Sequence, residues 1–451
     1  MIVMKFGGTS VAGYEAISRT IEIIRSKVEK KPVVVVSAMS KITDLLYLIA
    51  DTAAAKDKEK AMSLLDDLRE RHISTAEELL EGNAGLLLPA ISRVNEICDG
   101  LDTFVEAVCA LGELSDRSKA IIVSNGELLS STIISYAMNA KGMNTRWMDA
   151  REMIITSGDV LNGEPIISEI QKRVPEKVAA AYEGMDAVIT QGFISSTMDG
   201  KSAVIGRGGS DYSASLIGMA VGAEAIEIWT DVDGVLTADP RKVKGAKRLE
   251  KLSFEEAAEM AHFGAKVLHP LTIEPAVRQN IPIYVLNSMN PSCEGTLILG
   301  SEKIEDSVKS VSFKEHILVI NMFSTKMINA SGFLSKVFDI FSRNNVSIDL
   351  ISTTEANISV TCDYNTKNID KVVAELSEFA DVNVDDDKSQ ISVIGKNLIN
   401  IPGAVQKVFE PMKDAKMYMI SQGASYINLT LVVDRAVLDE SVNSIHDSLF
   451  A

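Results

Sequence analysis

Residues 1–6 (MIVMKF) and 31–40 (KPVVVVSAMS) are short, apolar, β-branched runs, and the stretch between them carries Ile17, Ile21 and Ile24 at helical spacing. That β-α-β opening limits the possible folds more than any other feature of the chain. A strand that is apolar along its length has to be covered on both faces, and a helix between two such strands supplies the crossover that a parallel pair needs. Further strands read at KAIIVS (119–124), NTRWMDA (144–150), DAVITQGFIS (186–195), EAIEIWTD (224–231) and IPIYVLN (281–287), with helical segments between most of them. The expectation is an α/β fold in which a mostly parallel sheet is sandwiched by helices. Residues 51–120 break this rhythm. EKAMSLLDDLRERHISTAEELLE (59–81) mixes charges along a long helical pattern and reads as a helical insertion over one end of the sheet.

The sheet region is expected to end near residue 290, with a Pro-, Gly- and charge-rich linker over 291–306. Beyond it the grammar changes. HILVINMF, a helix at 331–344, VSIDLISTT, NISVTCD, a helix at 367–379 and ADVNVDD spell β-α-β-β-α-β, a ferredoxin-like unit. SQISVIG, a helix from 402, KMYMISQG, YINLTLVV and a helix from 435 begin the pattern again but lack one strand. SVKSVSF (307–313) is a spare strand that completes the second unit, so the first unit (314–387) is expected to be inserted in the second (307–313 plus 388–451).

The formal charge of −17 over 451 residues argues against a nucleic-acid partner, which calls for a basic surplus. An anionic small molecule then needs a local cationic pocket, and Lys5, Arg207, Arg241 and Lys266 stand beside glycine turns. Cys98, Cys109, Cys293 and Cys362 are scattered, without metal-ligand spacing or a disulfide pattern, which points to a reducing compartment. No run approaches 18 apolar residues and no leader pattern is present, so a cytoplasmic protein without a membrane partner is expected.

The first strand runs into KFGGTS. Lys5 lies near its end, Gly7 and Gly8 let backbone N–H groups approach an anion, and Thr9 and Ser10 are candidate caps of the next helix. An ordinary βα turn would look the same, but a second turn of this kind follows at GRGGSD (206–211). There a hairpin through MDG leads to a helix whose start carries Arg207, Ser210 and Asp211. WTDVDGVLTADPRK (229–242) adds Thr230, Asp231, Arg241 and Lys242; its spacing excludes a calcium loop of the EF-hand type. HFGAKVLHP (262–270) adds Lys266, with His262 and His269 read as structural and no metal site assigned. In an open α/β sheet such turns gather at the carboxyl ends of the strands, where ligands bind.

KFGGTS, VVVSAMSKITDLL, SNGELLS, QGFI, GRGGSDYSASL, WTDVDGVLTADPR and FGAKVLHP, in this order, closely resemble the aspartokinases of the amino acid kinase superfamily. GFLSKVFDIFSRNNVSIDLISTTE resembles the first regulatory ACT domain of the monofunctional, lysine-sensitive type, so the resemblance spans the chain. The chain ends soon after the second repeat and shows no GxGxxG, which implies that the homoserine dehydrogenase module of bifunctional relatives is absent.

The resemblance implies an ATP-dependent phosphotransferase that converts L-aspartate to 4-phospho-L-aspartate, with Mg²⁺ held mainly through the nucleotide phosphates. The implied roles are Lys5 on the transferring phosphates, Gly7 and Gly8 as N–H donors, and Asp211 holding Lys5. Arg207 and Glu127 would clamp the substrate α-carboxylate and α-ammonium, with hydroxyls from Ser37, Thr43 and Ser210. Thr230, Asp231, Leu236, Arg241, Lys266 and Val267 fall at nucleotide positions, and Met327, Gly332, Phe333, Leu334, Asp349, Thr354 and Glu355 at effector positions. Three residues depart from the pattern: Leu236 where relatives often have Tyr, Asn125 where His is common, and Ala330 where the lysine-sensitive bacterial form has Ser. The further expectations are inhibition by lysine, with threonine as a second candidate effector, and a homodimer or dimer of dimers joined through the ACT domains. A catalytically silent amino-acid sensor, or a kinase for another amino acid, stands as the alternative.

Overall fold

The computed structural model describes residues 1–451 apart from 207, 265–267, 269, 301–303, 329–330, 424 and 451, and the chain packs as two units. One comprises Met1–Val235, Arg248–Ala257 and Val267–Lys303; the other comprises Leu236–Lys247, Ala258–Lys266 and Ile304–Ala451.

The first unit is built on eight strands in the order Lys251–Ser253, Thr296–Leu299, Ile283–Asn287, Ala225–Thr230, Ile2–Phe6, Pro32–Val36, Ala187–Gln191 and Thr145–Trp147. From Ile283–Asn287 to Thr145–Trp147 every neighbouring pair is parallel. Ile2–Phe6, Pro32–Val36 and Ala187–Gln191 are buried at every position, as strands covered on both faces must be. Each fully buried Val or Ile contributes roughly 1.5–3 kcal/mol relative to exposure, so these three strands anchor the unit. A smaller sheet orders Glu164–Pro165, Ile155–Ser157, Ile194–Thr197 and Ser202–Val204, the last two forming the hairpin around the MDG turn.

Two sequence expectations fail here. KAIIVS is not a strand: it lies inside the helix Asp116–Ala140, which Ser115 caps by accepting the Ser118 N–H at 3.1 Å. This helix is buried at most positions from Ala120 to Met138, so its apolar residues carry no one-sided period and a six-residue window looks like a strand. The stretch 291–306 is not wholly linker either. Thr296–Leu299 turns back after Gly295 (φ 68°) and pairs antiparallel with Ile283–Asn287 and parallel with Lys251–Ser253. The long helices Ile42–Ala54, Lys58–Leu79 and Ala84–Leu111 share one core with the sheet through Leu46, Ile49, Leu65, Leu68, Val94 and Leu101.

The second unit carries six strands in the order Ile351–Thr353, Asn357–Asp363, Ser307–Phe323, Asp381–Lys396, Asn428–Asp434 and Met417–Gln422, every pair antiparallel. Its two central strands are long, 17 and 16 residues. Residues 307–314 of the first pair with 390–396 of the second, while 317–323 pair with 381–388 on one side and 357–363 on the other. The register shifts between Lys314 and Ile317, and again before Val319. Ile320, Val337, Phe341, Val360 and Leu376 form one core; Val311, Ile391, Leu431, Val442 and Ile445 form another. Among the described residues, no helix is long and apolar enough to cross a membrane.

Candidate active site

Four turns of the first unit converge at the carboxyl ends of its strands around a cavity of about 810 Å³. Lys5, Gly7 and Gly8 come from the end of Ile2–Phe6, Ser37 from the turn after Pro32–Val36, Thr43 from the start of the helix Ile42–Ala54, and Thr230 and Asp231 from the end of Ala225–Thr230. Ser210 and Asp211 stand in the first turn of the helix Gly209–Val221, and Glu127 reaches in from the helix Asp116–Ala140.

The glycines are there because backbones meet. A Cβ on Gly192 would lie 2.5 Å from Ser210 Cβ and 2.6 Å from its Cα, and one on Gly209 would lie 2.9 Å from the Phe193 ring. The QGF turn and the start of Gly209–Val221 are thus interlocked, and the Phe193 N–H donates to Ser213 Oγ at 3.1 Å across the joint. Gly126 does the same for its helix, since a Cβ there would lie 2.9 Å from that of Ala38. A Cβ on Gly8 would stand 3.0 Å from the Ala38 carbonyl.

Electrostatics divide the cavity. Lys5, 8% exposed, places Nζ 2.5 Å from Asp211 Oδ1, so its ammonium is held by a fixed counter-charge. Glu127, 3% exposed, accepts the Ala38 N–H at Oε1 (3.1 Å), while Oε2 has no hydrogen-bond partner. Burial pushes its carboxyl up to about 8, against the downward pull of that backbone bond. The same burial, with Glu127 nearby, raises the Tyr47 phenol. Ser37 is fixed from both sides: its N–H donates to Phe6 O (3.1 Å) and its carbonyl accepts from Ser130 Oγ (2.8 Å).

Some details differ from the sequence reading. The Gly7 N–H donates to Trp229 O at 3.2 Å, continuing the sheet, and so points away from the anion role expected of it. Thr9 and Ser10 cap no α-helix: both lie in the short 3₁₀ turn Gly8–Val11, and the helix Tyr14–Arg25 starts behind Gly13. Lys41 and Lys119 also line the cavity and were missed, although Lys41 sits in SAMSKITDLL in the left-handed region (φ 65°) and Lys119 stands in the first turn of the helix Asp116–Ala140. Leu236 and Arg241 are not among the lining residues and belong to the second unit. Arg207, Lys266, Val267, His269 and Ala330 lie outside the described residues. Asn125 folds its side chain back on its own helix, Nδ2 donating to Ile121 O at 2.8 Å. A larger cavity, about 980 Å³, opens beside Glu227, Trp229 and Tyr284, but Lys5, Gly7, Gly8, Ser210 and Asp211 do not line it and Glu227 is already paired with Lys27 (3.0 Å).

In the second unit, Met327 and Phe333 pack on one core, with Gly332 (φ 87°) starting the helix Phe333–Arg343 and Leu334 37% exposed. Thr354 accepts the Asn357 N–H at 3.1 Å beside the exposed Glu355. Asp349 is not open: Lys314 Nζ stands 2.6 Å from its Oδ2, and His262 faces it at 3.8 Å. Among the described residues, no group of three or more His, Cys, Asp or Glu side chains is arranged to hold a metal ion.

Comparison with known proteins agrees with this architecture. Residues 1–287 match the amino acid kinase family and residues 320–378 and 391–449 each match an ACT domain. The chain is 36% identical to aspartokinase 3, chloroplastic, of Arabidopsis thaliana, over 99% of this chain and 81% of that protein. It is 33% identical to the lysine-sensitive aspartokinase 3 of Escherichia coli, over 100% and 99%. The crystal structure of E. coli aspartokinase III with aspartate and ADP, in the R state, superposes with a TM-score of 0.88 at 32% identity, covering all of both chains. The T-state structure of the same enzyme, with lysine and aspartate, gives 0.82.

Proposed function

The chain belongs to the amino acid kinase family and is an aspartokinase, and from that premise we propose how its residues move the γ-phosphoryl group of ATP to the side-chain carboxylate of aspartate. The acceptor carboxylate is ionised at neutral pH, so no general base is needed. The barrier is repulsion between two anions. Lys5, held against Asp211, supplies a positive charge where the transferred group gains electron density, and the Gly8 turn lets phosphate oxygens come close. Glu127 Oε2 receives the substrate α-ammonium, Arg207 its α-carboxylate, and Ser37, Thr43 and Ser210 orient the rest. Thr230 and Asp231, with Leu236, Arg241, Lys266 and Val267, serve the nucleotide. Mg²⁺ neutralises phosphate charge when bound; held on the nucleotide, it requires no protein cage of the kind missing among the described residues.

Lysine regulation follows from the lysine-sensitive relative and from the lysine-bound T-state structure of that enzyme. Its site is the first of two ACT domains, 314–387, inserted in the second, 307–313 plus 388–451, behind a kinase region over 1–290. The exposed edge strands Ile351–Thr353 and Met417–Gln422 suit pairing between copies, giving a homodimer. A cytoplasmic location accords with four free cysteines, three of them buried.

The observation that carries the catalytic reading is the placement of Lys5, Asp211 and Glu127, whose Oε2 is buried without a partner, on the lining of one cavity. Hydroxylamine trapping tests it: aspartyl hydroxamate should form from aspartate and Mg-ATP, not from glutamate or acetylglutamate, and should be suppressed by lysine. Absence of hydroxamate from all three acids overturns the catalytic reading and leaves a silent sensor.

A further inference from the structure

We infer that Lys41 is the substrate-binding cation for the side-chain carboxylate of aspartate, the group that accepts the phosphoryl. This rests on the reading of the cavity as the kinase site given above. Among the described residues, the charged side chains that line the cavity are Lys5, Lys41 and Lys119 against Asp44, Glu127, Asp211 and Asp231, and all of them belong to the first unit. Two of the three ammonium groups are already engaged. Asp211 holds Lys5 Nζ at 2.5 Å, and Lys119 Nζ stands 3.3 Å from Asp51 Oδ1 and 5.3 Å from the centre of the Tyr47 ring. Lys41 has neither an ion-pair nor a side-chain hydrogen-bond partner among the described residues. An anion that enters this lining needs a cation not yet neutralised, and Lys41 is in place to be that cation.

The turn that carries Lys41 is fixed by the fold. The Ser37 N–H donates to Phe6 O (3.1 Å), Ser37 O accepts from Ser130 Oγ (2.8 Å), the Ala38 N–H donates to Glu127 Oε1 (3.1 Å) and the Ile42 N–H to Met39 O (2.9 Å). The helix Ile42–Ala54 that follows is anchored by Ile42, Leu46 and Ile49, all fully buried. Ser37 and Thr43 line the cavity on either side of Lys41 in sequence, and Glu127, bonded to the same turn, keeps Oε2 without a partner. Glu127 and Lys41 are thus tied to one rigid turn. A short zwitterion with a second carboxylate calls for such a pair, one group for its ammonium and one for its side chain.

The backbone at Lys41 disfavours a lysine. It is the residue before the helix Ile42–Ala54, at φ 65° and ψ 2°, in the left-handed region that residues with a side chain avoid, and its side chain caps nothing. Among the described residues four other α-helices start from a left-handed residue, and these are Gly208, Gly332, Asn368 and Gly403, the types that enter this region most readily. Lys31 and Lys56 share the conformation, but they stand at helix C-terminal ends, where a left-handed residue is the ordinary terminator, and neither lines the cavity. At the start of Ile42–Ala54 a glycine would serve the backbone better, so the lysine there is explained by its charge.

The test is equilibrium titration of full-length wild type and Lys41→Met with L-aspartate and with L-asparagine, which keeps the shape of the substrate but carries no charge on its side chain. Lys41→Met should bind aspartate about tenfold more weakly or worse and asparagine within about twofold of wild type, while Lys41→Arg keeps most of the aspartate affinity. In steady-state kinetics the loss should fall on KM for aspartate, with KM for ATP within about twofold. Equal aspartate affinity in the two proteins, or a parallel loss for aspartate and asparagine, overturns the inference. Should Lys41→Met melt below the assay temperature, Lys41→Gly, whose backbone suits the left-handed region, takes its place under the same criteria. Wild-type hydroxamate formation, measured first, tests the kinase reading separately; if it fails, the titrations still decide the inference, and a wild type that binds no aspartate overturns it.

Discussion

Aspartate binding should be coupled to loss of a proton from Glu127. Its carboxyl is pushed up to about 8 by burial, and one oxygen is buried without a hydrogen-bond partner. At pH 7 such a group is about 90% protonated, whereas an ammonium arriving at Oε2 favours the ionised form. Affinity then scales with the ionised fraction, about 1% at pH 6 and about 50% at pH 8, so KM for aspartate should fall about 50-fold across that range and level off above it. Calorimetry at pH 7 in buffers of different ionisation enthalpy should show release of about 0.9 proton per aspartate bound. The carboxyl also acts on stability. Its folded pKa lies above the ordinary 4.5, so the folded chain keeps a proton that the unfolded chain loses. The resulting stabilisation is full below about pH 4.5 and is lost as pH rises through about 8, a total of about 5 kcal/mol at about 1.4 kcal/mol per pH unit. Glu127→Gln should remove both slopes, melting later than wild type at pH 8.5 while losing aspartate affinity. A KM for aspartate that is flat from pH 6 to 8, with no buffer dependence of the heat, would refute the reasoning.

Other perturbations have equally definite outcomes. Lys5→Met should lower kcat by about 10³-fold with little change in aspartate affinity, and Asp211→Asn by about 10²-fold, as steady-state kinetics would show. Gly192→Ala drives a Cβ to 2.6 Å from the Ser210 backbone and should cost about 1–3 kcal/mol in a denaturant melt while displacing Ser210 and Asp211 enough to reduce activity. Lys314→Met leaves Asp349, 6% exposed, without its ammonium and should destabilise the fold by about 3 kcal/mol near neutral pH. Thermal melts of the two proteins at pH 7 would read that difference.

The parallel sheet was legible because Ile2–Phe6, Pro32–Val36 and Ala187–Gln191 are apolar throughout, and two-faced burial leaves few other folds. The glycine turns were legible as places of close approach, though the partners of Gly192 and Gly209 prove to be each other's turns, a fact of packing that no local pattern carries. KAIIVS misled because a helix buried all round has lost the period that identifies it. Residues 236–247 gave no sign of belonging with the last 148 residues: their allegiance is set by Ala238, Val243 and a few ion pairs, which resemble any polar loop in sequence. Lys41 and Lys119 escaped notice for a related reason, since a surface lysine and a lysine at a cavity wall are the same letter.

The strand Ser307–Phe323 has one more consequence. Through its ladder with Asp381–Lys396 it serves both small cores of the second unit, with one irregular register near its start, between Val308 and Ser310, and two near the midpoint, between Lys314 and Val319. Seventeen residues at about 3.3 Å each make a beam of about 56 Å. No flexible tether separates the two halves, so a torque applied to one end is delivered to the other as twist, and the bulged midpoint is where that twist concentrates. Pulled in a force spectrometer, the two halves should rupture together as a single event.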